Sequence, residues 1–339
     1  MNKRIFVADL LLLLTAAIWG LGFVAQRSGM QYVGPFTFNG VRFILGSLSL
    51  LPFIAWQKSR QRKTGSGTWA GTKGQSGRRT LLFSSFLAGS CLFIGVSLQQ
   101  LGMMFTTAGN AGFITGLYVV LVPVFGIYLG RKTGLPTWLG ALFTFGGLYF
   151  LSTQGGIGTI NPGDIIIAVS SLFWAFHVLI IDRLVQRNDP IELSSGQFAF
   201  AGIYALISAF LLEPSLSSWL QRLDPQLLAS GLFAWQSLPD LISGLAGGTV
   251  PHSLISSAMV PILYGGLASV GIGYTLQVVA QRIAPPAHAS IILCLEGSFA
   301  AIGGIIILNE PLESWILLGF AMMLAGMLLS QWELVRRPR

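Results

Sequence analysis

Residues Asp9 to Phe43 recur without a gap at Asp164 to Phe198. An offset of 155 carries Asp9, Trp19, Pro35 and Phe43 onto Asp164, Trp174, Pro190 and Phe198, with matching hydropathy between these markers. A second block follows at an offset of 178, which carries Gly95, Leu98, Gln99, Ala111, Ile114 and Leu117 onto Gly273, Leu276, Gln277, Ala289, Ile292 and Leu295. The chain is therefore a duplicated unit, and the growth of the offset by 23 means that one loop is that much longer in the second copy. Duplicated sets of apolar helices fold as two repeats that enclose a central site within a membrane.

Only 9% of the 339 residues are charged and 53% are apolar, with mean hydropathy +0.71, against about 25% charged residues in a soluble domain. Ten apolar stretches approach the roughly 20 residues a helix needs to cross a bilayer: 8–28, 36–56, 80–101, 106–129, 136–153, 164–182, 193–212, 259–280, 286–308 and 313–332. The expected fold is an all-α polytopic membrane protein of ten transmembrane helices, arranged as a five-helix repeat over 1–153 and a second over 154–339. Five is odd, so the second copy enters the membrane in the opposite sense and the two repeats are inverted.

The opening run has the basic start and apolar core of a signal peptide. Its counterpart at 164–182 lies in mid-chain, so the first stretch is expected to remain as a helix. Cys91 and Cys294 both fall inside spans and read as small packing residues. The net charge of +8 is explained by topology rather than by an affinity for nucleic acid. With a cytoplasmic N-terminus, the basic loop 57–79, Arg131, Lys132, Arg183, Arg187, Arg282 and the basic tail all lie inside, and only Arg27 and Arg222 lie outside. That asymmetry obeys the positive-inside rule and puts both termini in the cytoplasm. Loop 57–79 reads as flexible and solvated. In the long outer segment 213–258, Leu216, Trp219, Leu220, Leu223, Leu227 and Leu228 approach helical spacing, which predicts a short amphipathic surface helix.

PFTFNGVRFILG in the second span, NAGFITGLYVVLVPVFGIYLGRK in the fourth and HASIILCLEGSFAAIGGIIILNEPLESWILLGFAMMLAGMLL in the last two resemble the EamA-type carriers of the drug/metabolite transporter superfamily. The resemblance spans both halves apart from 57–79 and 213–258. It implies ten helices, an inner-membrane location and export or exchange of small metabolites such as amino acids. The Gly-Glu pair usual in the family at the ends of spans 4 and 9 is here Arg131-Lys132 and Asn309-Glu310.

Intramembrane charge marks the candidate substrate site. Glu296 lies near the middle of its span, where a carboxylate costs roughly 2.5–3.5 kcal/mol on insertion scales and is a functional candidate by default. Its repeat mate is Tyr118. Arg42 lies in the second span, with Gln197 as its mate, and its guanidinium fork suits a carboxylate. Two readings stay open. Arg42 and Glu296 form a structural ion pair, or they take the carboxylate and the ammonium of a zwitterion. Trp19 and Trp174 are a repeat-related pair deep in their spans, away from the interfacial belts, suited to lining a pocket or facing a cation. His177, one turn beyond Trp174, can line the same path or titrate. Gln99 and Gln277 are expected at interfacial span ends, and Pro123 is expected to kink the fourth span.

There is no HExxH, GxSxG or Walker loop and no metal-spaced His/Cys group, so no enzyme chemistry, cofactor or metal is expected. The reading is a secondary transporter of a small-molecule substrate, embedded in the bilayer, with proton coupling open. The alternative is a membrane enzyme or lipid-handling protein that uses Glu296 or His177.

Overall fold

The computed structural model describes residues 3–64, 77–106, 108–131, 133–153, 162–223, 237–247, 252–299, 302 and 314–336. In hydrocarbon every backbone polar group needs an internal partner, which leaves long apolar runs the helix as their solution, and the elements here are all helices. They are α1 (Lys3–Gly29), α2 (Pro35–Thr64), α3 (Arg78–Gly102), α4 (Ala108–Thr115), α5 (Tyr118–Tyr128), α6 (Leu135–Thr153), α7 (Pro162–Leu184), α8 (Pro190–Leu223), α9 (Leu238–Gly247), α10 (His252–Leu263), a π-helical stretch (Tyr264–Tyr274), α11 (Thr275–Gln281), α12 (Pro286–Leu293) and α13 (Ser314–Arg336). Among the described residues seven helices are long and apolar enough to cross a membrane. Of the other three expected spans, 136–153 falls on α6 and 313–332 on α13, while 286–308 begins as α12 and then leaves the described residues.

Two helix pairs form the backbone of the packing, α2 with α8 and α6 with α13. Glycine sets the approach of the second pair. A Cβ on Gly140 would lie 2.6 Å from the Gly326 carbonyl oxygen, and one on Gly326 would lie 2.6 Å from the Gly140 carbonyl oxygen, so the two backbones meet with no side chain between them. The helix α3 packs on α7 and α8, and the π stretch packs on α1 and α2.

The end of α8 corrects the expected surface helix. Residues 213–223 continue α8 through Pro214, and the separate helix of this segment is α9; residues 224–236 lie outside the described residues. Continuation is favoured because Glu213, fully buried, is occupied at this level. Its carboxylate accepts from Thr37 N (2.7 Å), Thr37 Oγ1 (2.6 Å) and Leu238 N (3.1 Å). It thus serves as a cap for the first turns of α2 and of α9, satisfying donors a helix cannot satisfy itself. Gly34 leaves room for this: a Cβ there would lie 2.3 Å from the Glu213 carboxylate. The position 155 residues on is Asp189, which caps its own helix α8 through Ile191 N (2.9 Å) and Glu192 N (3.1 Å).

Candidate functional site

The fourth span breaks between α4 and α5, and the ninth breaks after α12. At both breaks the hydrogen bonds tighten to three-residue turns, Leu117 N to Ile114 O (3.1 Å) and Val119 N to Gly116 O (3.0 Å) in one, Leu295 N to Ile292 O (3.1 Å) and Gly297 N to Cys294 O (3.2 Å) in the other. The breaks touch, with Cys294 Sγ 3.8 Å from the Gly116 carbonyl oxygen, 178 positions apart. Pro123, where the kink is expected, sits inside α5 and deprives the Val119 carbonyl of its partner, next to the 116–117 turn where Gly116 lets Leu148 approach to 2.3 Å of a would-be Cβ.

Tyr118 and Glu296 are the first helical residues beyond the two breaks, and both line a cavity enclosing about 520 Å³ of space, its open mouth included. Arg42, Trp19 and Trp174 also line it. Five of the six candidate residues therefore meet in one space. Arg42 is 2% exposed. Its Nε donates to Asn39 Oδ1 (3.0 Å), and its guanidinium carbon lies 5.4 Å from the Phe38 ring centre and 5.1 Å from that of Phe43. Among the described residues that is its only hydrogen bond, so the two terminal nitrogens keep their donors. Glu296 is 7% exposed, and among the described residues no donor reaches its carboxylate and no salt bridge joins it to Arg42. The structural ion pair is thus not formed. Tyr274 lines the same cavity, and its ring centre lies 4.4 Å from Trp19 and 6.2 Å from Trp174.

His177 lies outside that wall. It is fully buried, its Nε2 pairs with Gln197 Oε1 at 2.9 Å, and its ring supports Trp174 and Tyr274 from behind at 6.2 and 6.4 Å. It follows Trp174 by three residues, about 60° short of a full turn, and faces α8 rather than the cavity. Gln99 and Gln277, expected at the interface, instead line the cavity with Gln26. Gln99 Nε2 donates to Thr115 Oγ1 at 3.2 Å and Gln277 Nε2 to Gln281 Oε1 at 2.9 Å. Counting from the span ends misplaces them because the cavity reaches up to their level. Tyr274 has no sequence signal of its own.

Away from the cavity, Ser330 Oγ and Asp9 Oδ1 flank His288 at 2.7 and 2.8 Å. The three residue types are those of a hydrolytic triad, but Ser330 is 0% and His288 1% exposed, so no substrate reaches the hydroxyl. The array ties α1, α12 and α13 together. A further bridge joins Arg131 of the segment after α5 to Asp182 of α7, and Asn309 and Glu310 lie outside the described residues.

A crystal structure superposes with a TM-score of 0.69 over 98% of this chain and 99% of the other at 16% identity, a likeness of fold. An "Uncharacterized transporter" of Archaeoglobus fulgidus is 28% identical over 330 residues, 97% of this chain and 87% of that one. An "Uncharacterized inner membrane transporter YedA" of Escherichia coli (strain K12) is 25% identical over 219 residues, 60% of this chain and 64% of its own. "Solute carrier family 35 member F6" of Homo sapiens is 24% identical over 234 residues, 62% of this chain and 60% of its own. The model of the EamA-like transporter family matches residues 6–153 and again residues 161–332. With that coverage of both halves, the chain belongs to the EamA-like transporter family and is a multi-pass membrane transporter of the drug/metabolite transporter superfamily.

Proposed function

We propose that the chain is an exporter or exchanger of small zwitterionic metabolites of the amino-acid class, working by alternating access between two inverted five-helix repeats, 1–153 and 154–339. One observation carries the substrate class. A buried guanidinium and a buried carboxylate line the same cavity, neither neutralised by the other nor by another described residue. A buried unpaired charge is costly, and a substrate bearing both opposite charges compensates both at once. Arg42 takes the carboxylate, Glu296 the ammonium, and Tyr118, Trp19 and Trp174 shape the space between. Any coupling to protons would run through Glu296.

The inverted repeat is supported by contacts at the two ends of the α2/α8 pair. The offset of 155 carries Thr37 onto Glu192 and Lys58 onto Glu213. The partners are Thr37 with Glu213 at one end and Lys58 with Glu192, 2.7 Å apart, at the other. Such exchange of partners is what a two-fold axis between antiparallel copies produces. With both termini inside, the cavity residues Gln26, Arg42 and Gln99 lie towards the outer face and Gln277, close to Arg282, towards the inner one. With Cys91 and Cys294 buried, a cysteine at Ser59 in intact cells should resist a membrane-impermeant thiol reagent, and one at Ser243 should react. The reverse pattern would invert the orientation.

Purified protein in liposomes preloaded with unlabelled L-amino acids is expected to take up components of a ¹⁴C-labelled amino-acid hydrolysate by counterflow. Uptake of none of them would remove this substrate class. Chemical conversion without movement would mark an enzyme instead.

A further inference from the structure

We infer that the two repeat-related tryptophans have divided their work: Trp19 is fixed to the protein, and Trp174 donates its indole N–H to a substrate oxygen. The inference rests on the cavity being the substrate site. Trp19 Nε1 donates to the Ser269 carbonyl at 3.2 Å. The equivalent acceptor for Trp174 would be the carbonyl of Cys91, 178 positions before Ser269. That bond is absent, and Trp174 Nε1 is buried with no hydrogen-bond partner among the described residues, a condition that calls for an explanation.

The neighbouring helices explain the difference. Ser269 lies in the π stretch Tyr264–Tyr274, whereas the equivalent residues 86–96 belong to the regular helix α3. The wider π turn presents carbonyls to α1, and it takes two bonds from it, from Trp19 and from Thr15 Oγ1 to the Gly273 carbonyl at 3.2 Å. π-helical geometry is rare and its single-turn form is frequent at functional sites. Ring orientation differs accordingly. A Cβ on Gly273 would lie 2.7 Å from Trp19 Nε1, so that indole presses its N–H edge onto the π stretch. At the equivalent Gly95 the nearest indole atom is Trp174 Cδ2, at 3.8 Å. Trp174 thus turns its ring junction to α3 and stacks at 18° on Tyr274; its indole N–H makes no bond to the described protein, and the residue lines the cavity with Arg42 and Glu296.

The two variants Trp19→Phe and Trp174→Phe lose the same atoms from equivalent positions, so their difference isolates the hydrogen bond. Trp19→Phe is expected to melt lower in detergent than Trp174→Phe, which gives up a donor that bonded nothing. In proteoliposomes, with the ¹⁴C-labelled L-amino acid taken up best from the hydrolysate, Trp174→Phe should raise KM about tenfold while the maximal rate holds, the loss of one hydrogen bond to a charged acceptor. In ¹⁵N-indole-labelled protein the resonance absent from Trp174→Phe should shift on adding that amino acid, and the one absent from Trp19→Phe should not. Equal melting temperatures together with an unmoved Trp174 resonance overturn the inference. If Glu296→Gln still abolishes uptake, the site survives and only the division between the tryptophans fails; if no amino acid is taken up at all, the proposed function and this inference fall together.

Discussion

Glu296→Gln is expected to reduce amino-acid counterflow at least about tenfold, a loss of roughly 1.4 kcal/mol or more of differential interaction, while the melting temperature holds. Glutamine preserves the shape of a side chain that is 7% exposed, and among the described residues no donor or cation is stranded by the change. Arg42→Met is expected to lose transport in the same way, because its guanidinium makes one hydrogen bond within the described protein and offers the remaining donors to the cavity. If the two residues bridged each other, either single change would cost about 3–5 kcal/mol of stability and the double change Arg42→Met with Glu296→Leu would restore most of it. No such bridge is formed, so the double variant should show no rescue of stability and no activity. A double variant that transports at the parental rate would take both residues out of the mechanism.

Gly147→Val is expected to cost about 1–3 kcal/mol by overpacking. A Cβ at Gly147 would lie 2.6 Å from the Gly319 carbonyl oxygen, 2.6 Å from Met323 Cγ and 3.0 Å from Met323 N. Two of those atoms are backbone, so relief requires α6 and α13 to part along their length. Gly112→Ala is the control. A Cβ there meets nothing within 4 Å, and the change should be neutral or stabilising by about 0.5–1 kcal/mol through helix propensity. Equal unfolding midpoints for the two variants in detergent would show that the glycine seam between α6 and α13 is not a close contact.

Duplication makes much of the site legible in the amino-acid sequence. Trp19 and Trp174 share an offset, Tyr118 and Glu296 share another, and charge is conspicuous in an apolar span, so these positions announce themselves. The helix breaks do not, since neither contains a proline: the turns at Gly116 and Cys294 arise where two spans cross, a tertiary cause that a single span cannot carry. The π stretch YGGLASVGIGY looks like an ordinary glycine-rich packing surface, because one extra residue per turn leaves no mark on hydropathy. Tyr274 is hidden for the same reason, its position in the cavity following from that change of register. His177 shows the opposite error. Spacing places it three residues past Trp174, but three residues stop about 60° short of a full turn, and that offset turns the ring to Gln197.

The capping of α2 by a carboxylate 176 residues further along the chain has a consequence for biogenesis. At a synthesis rate of about 5–20 residues per second, the start of α2 waits roughly 10 to 35 seconds for the Glu213 side chain to be made. During that interval the first repeat stands in the membrane with exposed amide donors at its rim and a glycine where its sibling carries its own aspartate. Nascent protein is therefore open to proteolysis or to capture by insertion factors at that rim until the second repeat arrives, and a gene split between the halves would leave the first product permanently in that state.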